Sequence, residues 1–184
     1  ALFPAKASHT WGPESEEVTG VAADREWAPE YLYGTDGTAG GHGNDPCGGR
    51  VAAWSVVIFQ RAPDGLKQVG SACGVLPPGT TVPQAEAYAI ARVCARTPGV
   101  ADITTDCFGM LRQQKSLVVN WPWLQGGDRR AHASLTRSHV TEDEFRAEFG
   151  ESSLWRKQVN DAADHLCQKA GHGPSGTMVP GRDR

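Results

Sequence analysis

Two aspartates each stand directly after a predicted buried strand. Asp36 closes a short apolar and aromatic run over residues 31–35, and Asp106 closes a β-branched run over residues 100–105. The carboxyl ends of strands in open α/β sheets are where ligands bind. An aspartate at a strand end can also cap the helix that follows, so each residue alone fits either role.

Two more carboxylates fall on predicted helices. A helix over residues 81–96 begins at a capping-box pattern, and Glu86 lies four residues before an isoleucine of its inward stripe. A buried, unpaired carboxylate is costly, so this position requires a cation or a strong donor. Asp164 flanks the apolar stripe of the last predicted helix, over residues 154–170, and Asp161 is a rival for the same role. Each of these side chains, taken alone, also fits a solvated helix surface.

Convergence of these four carboxylates predicts a site for hard divalent cations. All-oxygen ligand sets suit Mg²⁺ or Mn²⁺, and two such ions would offset four negative charges. Two-metal sites hold ions about 4 Å apart and stabilise the attacking and leaving oxygens of an in-line displacement at phosphorus. The pattern therefore favours phosphodiester hydrolysis. A glycine-rich stretch over residues 34–49 does not support a nucleotide-binding loop, because no lysine follows its glycines.

The order of predicted elements indicates an α/β domain. Three strands precede the first helix, and two further strands then alternate with helices, which predicts an antiparallel start followed by parallel crossovers. A chain of 184 residues fits one domain. We predict a disordered or linker segment over residues 1–30, the domain over 31–171 and a tail over 172–184. A further helix is predicted over residues 108–118.

The net charge bears on which partners the protein can bind, and the cysteine content bears on its cellular compartment. The net charge of −3 disfavours binding of nucleic acid by charge alone, so metal ions would have to bridge an acidic site to a polyanion. The five cysteines are odd in number and form no Cys-x-x-Cys pair, which favours reduced thiols. The longest apolar run, over residues 51–59, is too short for a bilayer, and no secretory leader pattern is found. We expect an intracellular protein of the cytoplasm or nucleus, neither secreted nor membrane-bound.

Six short segments of the chain carry a further signal. They are YGTDGT at 33–38, AWSVVI at 53–58, QAEAYAI at 84–90, ITTDC at 103–107, RSH at 137–139 and NDAADHL at 160–166. In this order they resemble the type-1 ribonuclease H domain, and they are closer to domains of retroelement polyproteins than to the compact cellular enzyme. Each motif is weak alone, whereas six in the order of the family are specific. The resemblance covers residues 31–170.

The resemblance implies a mixed five-stranded sheet flanked by helices, with the first three strands antiparallel and the others parallel. It implies endonucleolytic hydrolysis of the RNA strand of RNA–DNA hybrids by a two-metal-ion mechanism, with Mg²⁺, or alternatively Mn²⁺, as cofactor. A metal-activated water would attack phosphorus, and the RNA 3′-oxygen would leave. The implied metal ligands are Asp36, Glu86, Asp106 and Asp164. The Asn-x-x-Ala-Asp spacing favours Asp164 over Asp161, and His139 would assist proton transfer or product departure.

Two departures from the family leave a second function open. Between residues 118 and 131 the family places another helix, and some members add a basic protrusion, but tryptophan, proline and glycine interrupt this segment. The segment from 139 to 164 is longer than usual and acidic. The alternative is a catalytically decayed ribonuclease H-like module with a structural or tethering role in a retroelement polyprotein.

The presence of all four acids favours the enzyme over the decayed module. The expected partners are an RNA–DNA hybrid and an adjacent reverse transcriptase domain of a polyprotein. The domain itself is expected to be monomeric.

Overall fold

The computed structural model describes residues 15–39, 51–107, 131–137 and 139–172. Six strands and three α-helices form its framework. The strands are β1 Glu17–Gly20, β2 Leu32–Thr38, β3 Ala53–Ala62, β4 Gly65–Val75, β5 Ala101–Thr105 and β6 Ala131–Leu135. The helices are α1 Val82–Arg96, α2 Glu142–Phe149 and α3 Leu154–His172. Among the described residues, no helix has the length and hydropathy needed to cross a membrane.

The six strands form one mixed sheet in the order β1-β4-β3-β2-β5-β6. Strands β1, β4, β3 and β2 pair antiparallel, whereas β2, β5 and β6 pair parallel. The predicted α/β class and the predicted pairing directions of five strands are confirmed. The sixth strand, β1, lies outside the predicted set and extends the antiparallel edge.

The central strand β2 continues past the point where the sequence analysis ended it. Asp36 was predicted to close the strand, but β2 runs to Thr38 because β3 is long enough to pair with both residues after Asp36. Gly37 does not interrupt the strand, since its backbone pairs with Trp54. Asp36 therefore lies within the strand, opposite Ser55 of β3.

Two glycines allow helices to pack closely on both faces of β2. A Cβ atom at Gly34 would lie 2.6 Å from a side-chain carbon of Val159 on α3. A Cβ atom at Gly37 would lie 2.2 Å from the backbone nitrogen of Glu86 on α1. Alternate residues of a strand face opposite sides of the sheet. Because these glycines are three residues apart, they lie on opposite faces. The sequence of β2 thus sets how near each helix can approach.

Helix α3 is attached to β3 by two hydrogen bonds as well as by apolar packing. The Ser55 hydroxyl donates to the carbonyl of Ala163 at 2.7 Å, and the Cys167 thiol donates to the carbonyl of Ala53 at 3.5 Å. Both donors and both acceptors belong to buried residues. These bonds fix the register of α3 along the sheet.

The segment before β2 is ordered where a linker was predicted. The predicted disordered segment over 1–30 is wrong for the residues from 15 onward, because β1 pairs with β4 and Trp27 is only 1% exposed. The Trp27 backbone N–H donates to the carbonyl of Arg96, and its ring stacks on Tyr33 with centroids 6.0 Å apart. An ion pair joins Glu16 to Arg92. This segment therefore ties the sheet edge to the carboxyl-terminal half of α1.

The other predicted segments lie outside the described residues. They are the first part of the linker over 1–14, the helix over 108–118, the interrupted segment over 118–130 and most of the tail over 172–184. The first residue of that tail, His172, still belongs to α3.

Trp27→Ala tests whether the amino-terminal segment is part of the folded domain. Loss of this buried ring should lower the free energy of unfolding by about 3–5 kcal/mol. Glu26→Ala, at an exposed neighbouring position, should change it by no more than about 0.5 kcal/mol. Urea denaturation, followed by far-ultraviolet circular dichroism and not by tryptophan fluorescence, measures the free energy of unfolding of both variants. Equal, small effects would mean that the segment is a linker after all.

Candidate metal centre

Three carboxyl groups gather where β2, β5 and α1 meet. One oxygen each of Asp36, Glu86 and Asp106 lies within 4.8 Å of the others. The parallel register pairs Gly34 of β2 with Thr104 of β5. Two residues further along each chain, Asp36 and Asp106 therefore emerge side by side. The sheet itself thus brings together two acids that are 70 residues apart in the sequence.

Helix α1 supplies the third carboxyl. A capping box between Thr81 and Gln84 begins the helix, as the sequence predicted, and places Glu86 in its second turn. Glu86 lies on the buried side of α1 with 3% of its surface exposed. Gly37 permits this approach, because any side chain there would strike the backbone of Glu86. The inward position expected for this glutamate is therefore the observed one.

Burial and neighbouring negative charge disfavour ionisation of two of the three carboxyls, Asp36 and Glu86. Burial and the neighbouring charge of Asp106 raise the pKa of Asp36 from 3.8 to about 6. Burial, followed by the charges of Asp36 and Asp106, raises the pKa of Glu86 well above its usual value. Asp36 and Glu86 therefore ionise less readily than exposed acids do.

The donor set fits a hard divalent cation. The Oε2 atom of Glu86 is buried and has no hydrogen-bond partner. Buried carboxylate oxygens normally have partners, and an all-oxygen group of this kind suits Mg²⁺ or Mn²⁺. No lysine or arginine is among the described residues that line the cavity around the cluster. A cation from solution is therefore the counter-charge that this arrangement accommodates.

The cluster opens into a cavity of about 500 Å³ that also holds the other two predicted site residues. Asp164 of α3 lies in its wall, outside the group of three carboxyls, and the charge of Asp164 contributes to the raised pKa of Asp36. His139 lies in the wall after β6. The lining residues are Asp36, Gly37, Thr38, Val82, Glu86, Asp106, Cys107, His139, Asp164 and Gln168. One cavity thus contains all five residues that were singled out.

The rival aspartate on α3 faces elsewhere. Asp161 forms an ion pair with Lys157 at 2.5 Å, half of its side chain is exposed, and it does not line the cavity. Asp164 accepts hydrogen bonds on both carboxylate oxygens from Nε2 of Gln168, each at 3.0 Å. The structure therefore gives Asp164, and not Asp161, access to the cluster.

His139 has an uncommon backbone conformation. Its φ of 58° is the only positive value at a non-glycine residue in the described part of the chain. Left-handed backbone is uncommon for residues with a Cβ atom, and such positions concentrate at functional sites. The exposed imidazole of His139 borders the cavity from this turn.

One contributor was missed in the sequence. Gln168 lies four residues after Asp164, which is the spacing at which helix side chains meet. That spacing was available in the sequence and would have identified Gln168 as a neighbour of the site.

Comparison with known proteins supports the fold. No protein-family model and no curated protein matches the chain. Among solved structures, LC9-RNase H1, a type 1 RNase H with the type 2 active-site motif, matches with a TM-score of 0.51. The match covers 79% of this chain and 74% of that chain at 15% identity. The chain has a ribonuclease H-like fold.

The predicted resemblance to ribonuclease H is thereby confirmed for the fold. A foamy viral protease-reverse transcriptase, solved in complex with double-stranded DNA, also matches this ribonuclease H-like chain. That match covers 79% of this chain and 96% of the viral chain, with 14% identity and a TM-score of 0.44.

Asp36→Asn tests the repulsion between the carboxyls in the metal-free protein. Because its pKa is raised in the folded state, Asp36 destabilises the fold as the pH rises from about 4 through 6. In EDTA at about pH 7.5, Asp36→Asn should raise the free energy of unfolding by about 1–3 kcal/mol. At about pH 4 it should change it little, because Asp36 is then protonated in the folded protein.

Urea denaturation at both pH values measures this effect. Asp161→Asn is the matched control, since it removes an aspartate that forms only a surface ion pair, and it should not stabilise the protein at either pH. The electrostatic explanation fails if Asp36→Asn has the same effect at both pH values.

Proposed function

We propose that this domain is a divalent-metal-dependent endonuclease that hydrolyses the RNA strand of RNA–DNA hybrids. The observation that carries the proposal is the group of three carboxyls within 4.8 Å, which share one cavity with Asp164 in a ribonuclease H-like fold. Each acid comes from a different element, so no local sequence pattern accounts for their meeting. A cavity whose described lining includes four carboxyls, a histidine and no lysine or arginine suits metal-assisted chemistry on a polyanion.

The carboxylates would hold two Mg²⁺ ions, or Mn²⁺, which has the same ligand preference. When bound, the ions supply charge stabilisation to the attacking and leaving oxygens at phosphorus. Asp36, Glu86 and Asp106 would form the inner ligand group, and Asp164, which lines the same cavity, would complete it. The buried side of α1 and the adjacent strands β2 and β5 hold the inner group in place. Such preorganisation is what in-line displacement requires of a site.

His139 would move protons or assist release of product. Its imidazole borders the cavity and is exposed, so it can exchange protons with solvent while facing the carboxylates. We assign to it proton transfer during cleavage or departure of the cut strand.

The substrate would be recognised through the ions and through the shape of the hybrid. The chain carries a net charge of −3, so the cavity holds phosphates only when cations bridge them. RNA would be distinguished from DNA by contacts to 2′-hydroxyls in the wide minor groove. The sequence resemblance to retroelement domains supports an adjacent reverse transcriptase domain as the partner that adds affinity for the hybrid.

Binding of divalent ions should stabilise the wild-type domain. At tenfold to hundredfold excess over the dissociation constant, Mn²⁺ should raise the melting temperature by roughly 3–10 °C. Glu86→Gln should lose most of this increase, because it removes one charge of the inner ligand group. Asp161→Asn should retain it. Differential scanning fluorimetry with and without EDTA measures the increase within each variant, and an unchanged increase in Glu86→Gln contradicts the proposed ligand set.

Cleavage should depend on Asp106. We expect Mg²⁺- or Mn²⁺-dependent cutting of the RNA strand of a labelled hybrid, reduced at least about a thousandfold in Asp106→Asn because a ligand charge is lost. Asp161→Asn should cut at the wild-type rate. Retained cutting by Asp106→Asn would refute the site. A wild-type domain that binds Mn²⁺ and cuts no hybrid would instead indicate the decayed structural module.

A further inference from the structure

Gln168 lies beside the one proposed ligand that stands apart from the inner group. Its Nε2 atom donates to Oδ1 and to Oδ2 of Asp164, both at 3.0 Å, and both residues line the cavity. Gln168 is exposed and Asp164 is half-buried. A single amide nitrogen shared between two carboxylate oxygens restrains the plane of the carboxylate as well as its direction. None of the ion pairs formed by residues 15–39, 51–107, 131–137 and 139–172 includes Asp164.

The backbone beneath both side chains is anchored. Ala163 and Cys167, which directly precede Asp164 and Gln168, are the α3 residues that bond to β3. The turn of helix that carries the pair is therefore held against the sheet at both of its ends. Only the side-chain rotamers remain free, and the amide–carboxylate bond restricts those. These contacts together restrict the positions that the Asp164 carboxylate can adopt.

The chemistry of an amide suits this task better than that of a charged side chain. An amide N–H orients a carboxylate without neutralising it, so all of its charge remains available to a cation. A lysine at position 168 would form an ion pair with Asp164 and compete with a divalent ion. A glutamate there would repel Asp164 and would offer no donor. Groups that orient metal ligands in this way commonly change metal affinity when they are removed.

We infer that Gln168 is a positioning residue, which holds the Asp164 carboxylate in the cavity wall in the orientation that a divalent ion requires. This inference rests on the proposed function, because it needs Asp164 to be a metal ligand. Gln168 is not one of the five predicted site residues. Gln168 acts on the ion through Asp164 and not by direct coordination.

Titration of the full chain with Mn²⁺, with free Mn²⁺ followed by electron paramagnetic resonance, tests the inference. Gln168→Ala should bind Mn²⁺ about tenfold more weakly than wild type, and Gln168→Lys should bind it more weakly still. Gln158→Ala removes an exposed glutamine from the same helix and should leave the affinity unchanged. Unchanged far-ultraviolet circular dichroism of each variant separates this effect from loss of the fold.

A double-mutant cycle decides whether Gln168 acts through Asp164. In an Asp164→Asn background, Gln168→Ala should weaken Mn²⁺ binding by less than about twofold, because the carboxylate that it positions is already gone. Wild-type affinity in Gln168→Ala, or an equal loss in both backgrounds, overturns the inference and leaves the proposed function intact. Absence of Mn²⁺ binding by the wild-type chain overturns both.

Discussion

Repulsion within a group of three carboxyls, two of them buried, is the constraint around which this domain is built. Carboxyl oxygens of Asp36, Glu86 and Asp106 lie within 4.8 Å of one another. Burial, together with the neighbouring negative charges, raises the pKa of both Asp36 and Glu86. Such an arrangement persists only where the surrounding structure holds it in place. The sheet register fixes two of the acids, and the packing of α1 fixes the third.

Strand β2 contains both a proposed metal ligand, Asp36, and the two glycines that let the helices pack closely. Gly34 admits α3 on one face, and Gly37 admits α1 on the other. Between them, Asp36 lies opposite Ser55, whose hydroxyl anchors α3 to the sheet. The distance from the inner carboxyls to the wall that contains Asp164 is thus set by contacts along one short strand. A larger side chain at either glycine would move a whole helix and not only a single ligand.

Much of this arrangement could be predicted from the sequence because buried acids break an apolar pattern. Glu86 stood out on an inward stripe, and Asp106 followed a β-branched run, so both were recognisable without coordinates. The amino-terminal edge was not, because β1 pairs through its backbone while its side chains stay exposed, which leaves no periodicity. Trp27 was one buried aromatic residue in a polar segment, too little to indicate a core contact. The orientation of Asp164 by Gln168 depends on rotamers, which spacing alone does not determine.

The absence of basic groups from the described cavity lining bears on both proposed ligands. No lysine or arginine lines the described cavity, so under the proposed function cations would have to bridge its carboxylates to a nucleic acid. Helix α2 adds further exposed acids, and its arginine, Arg146, is already engaged by three carboxylates. A polyanion would therefore be attracted at the ions and repelled by the surface around them. Under the proposed function, affinity for a long duplex would have to come from basic surface elsewhere, which a neighbouring domain would supply.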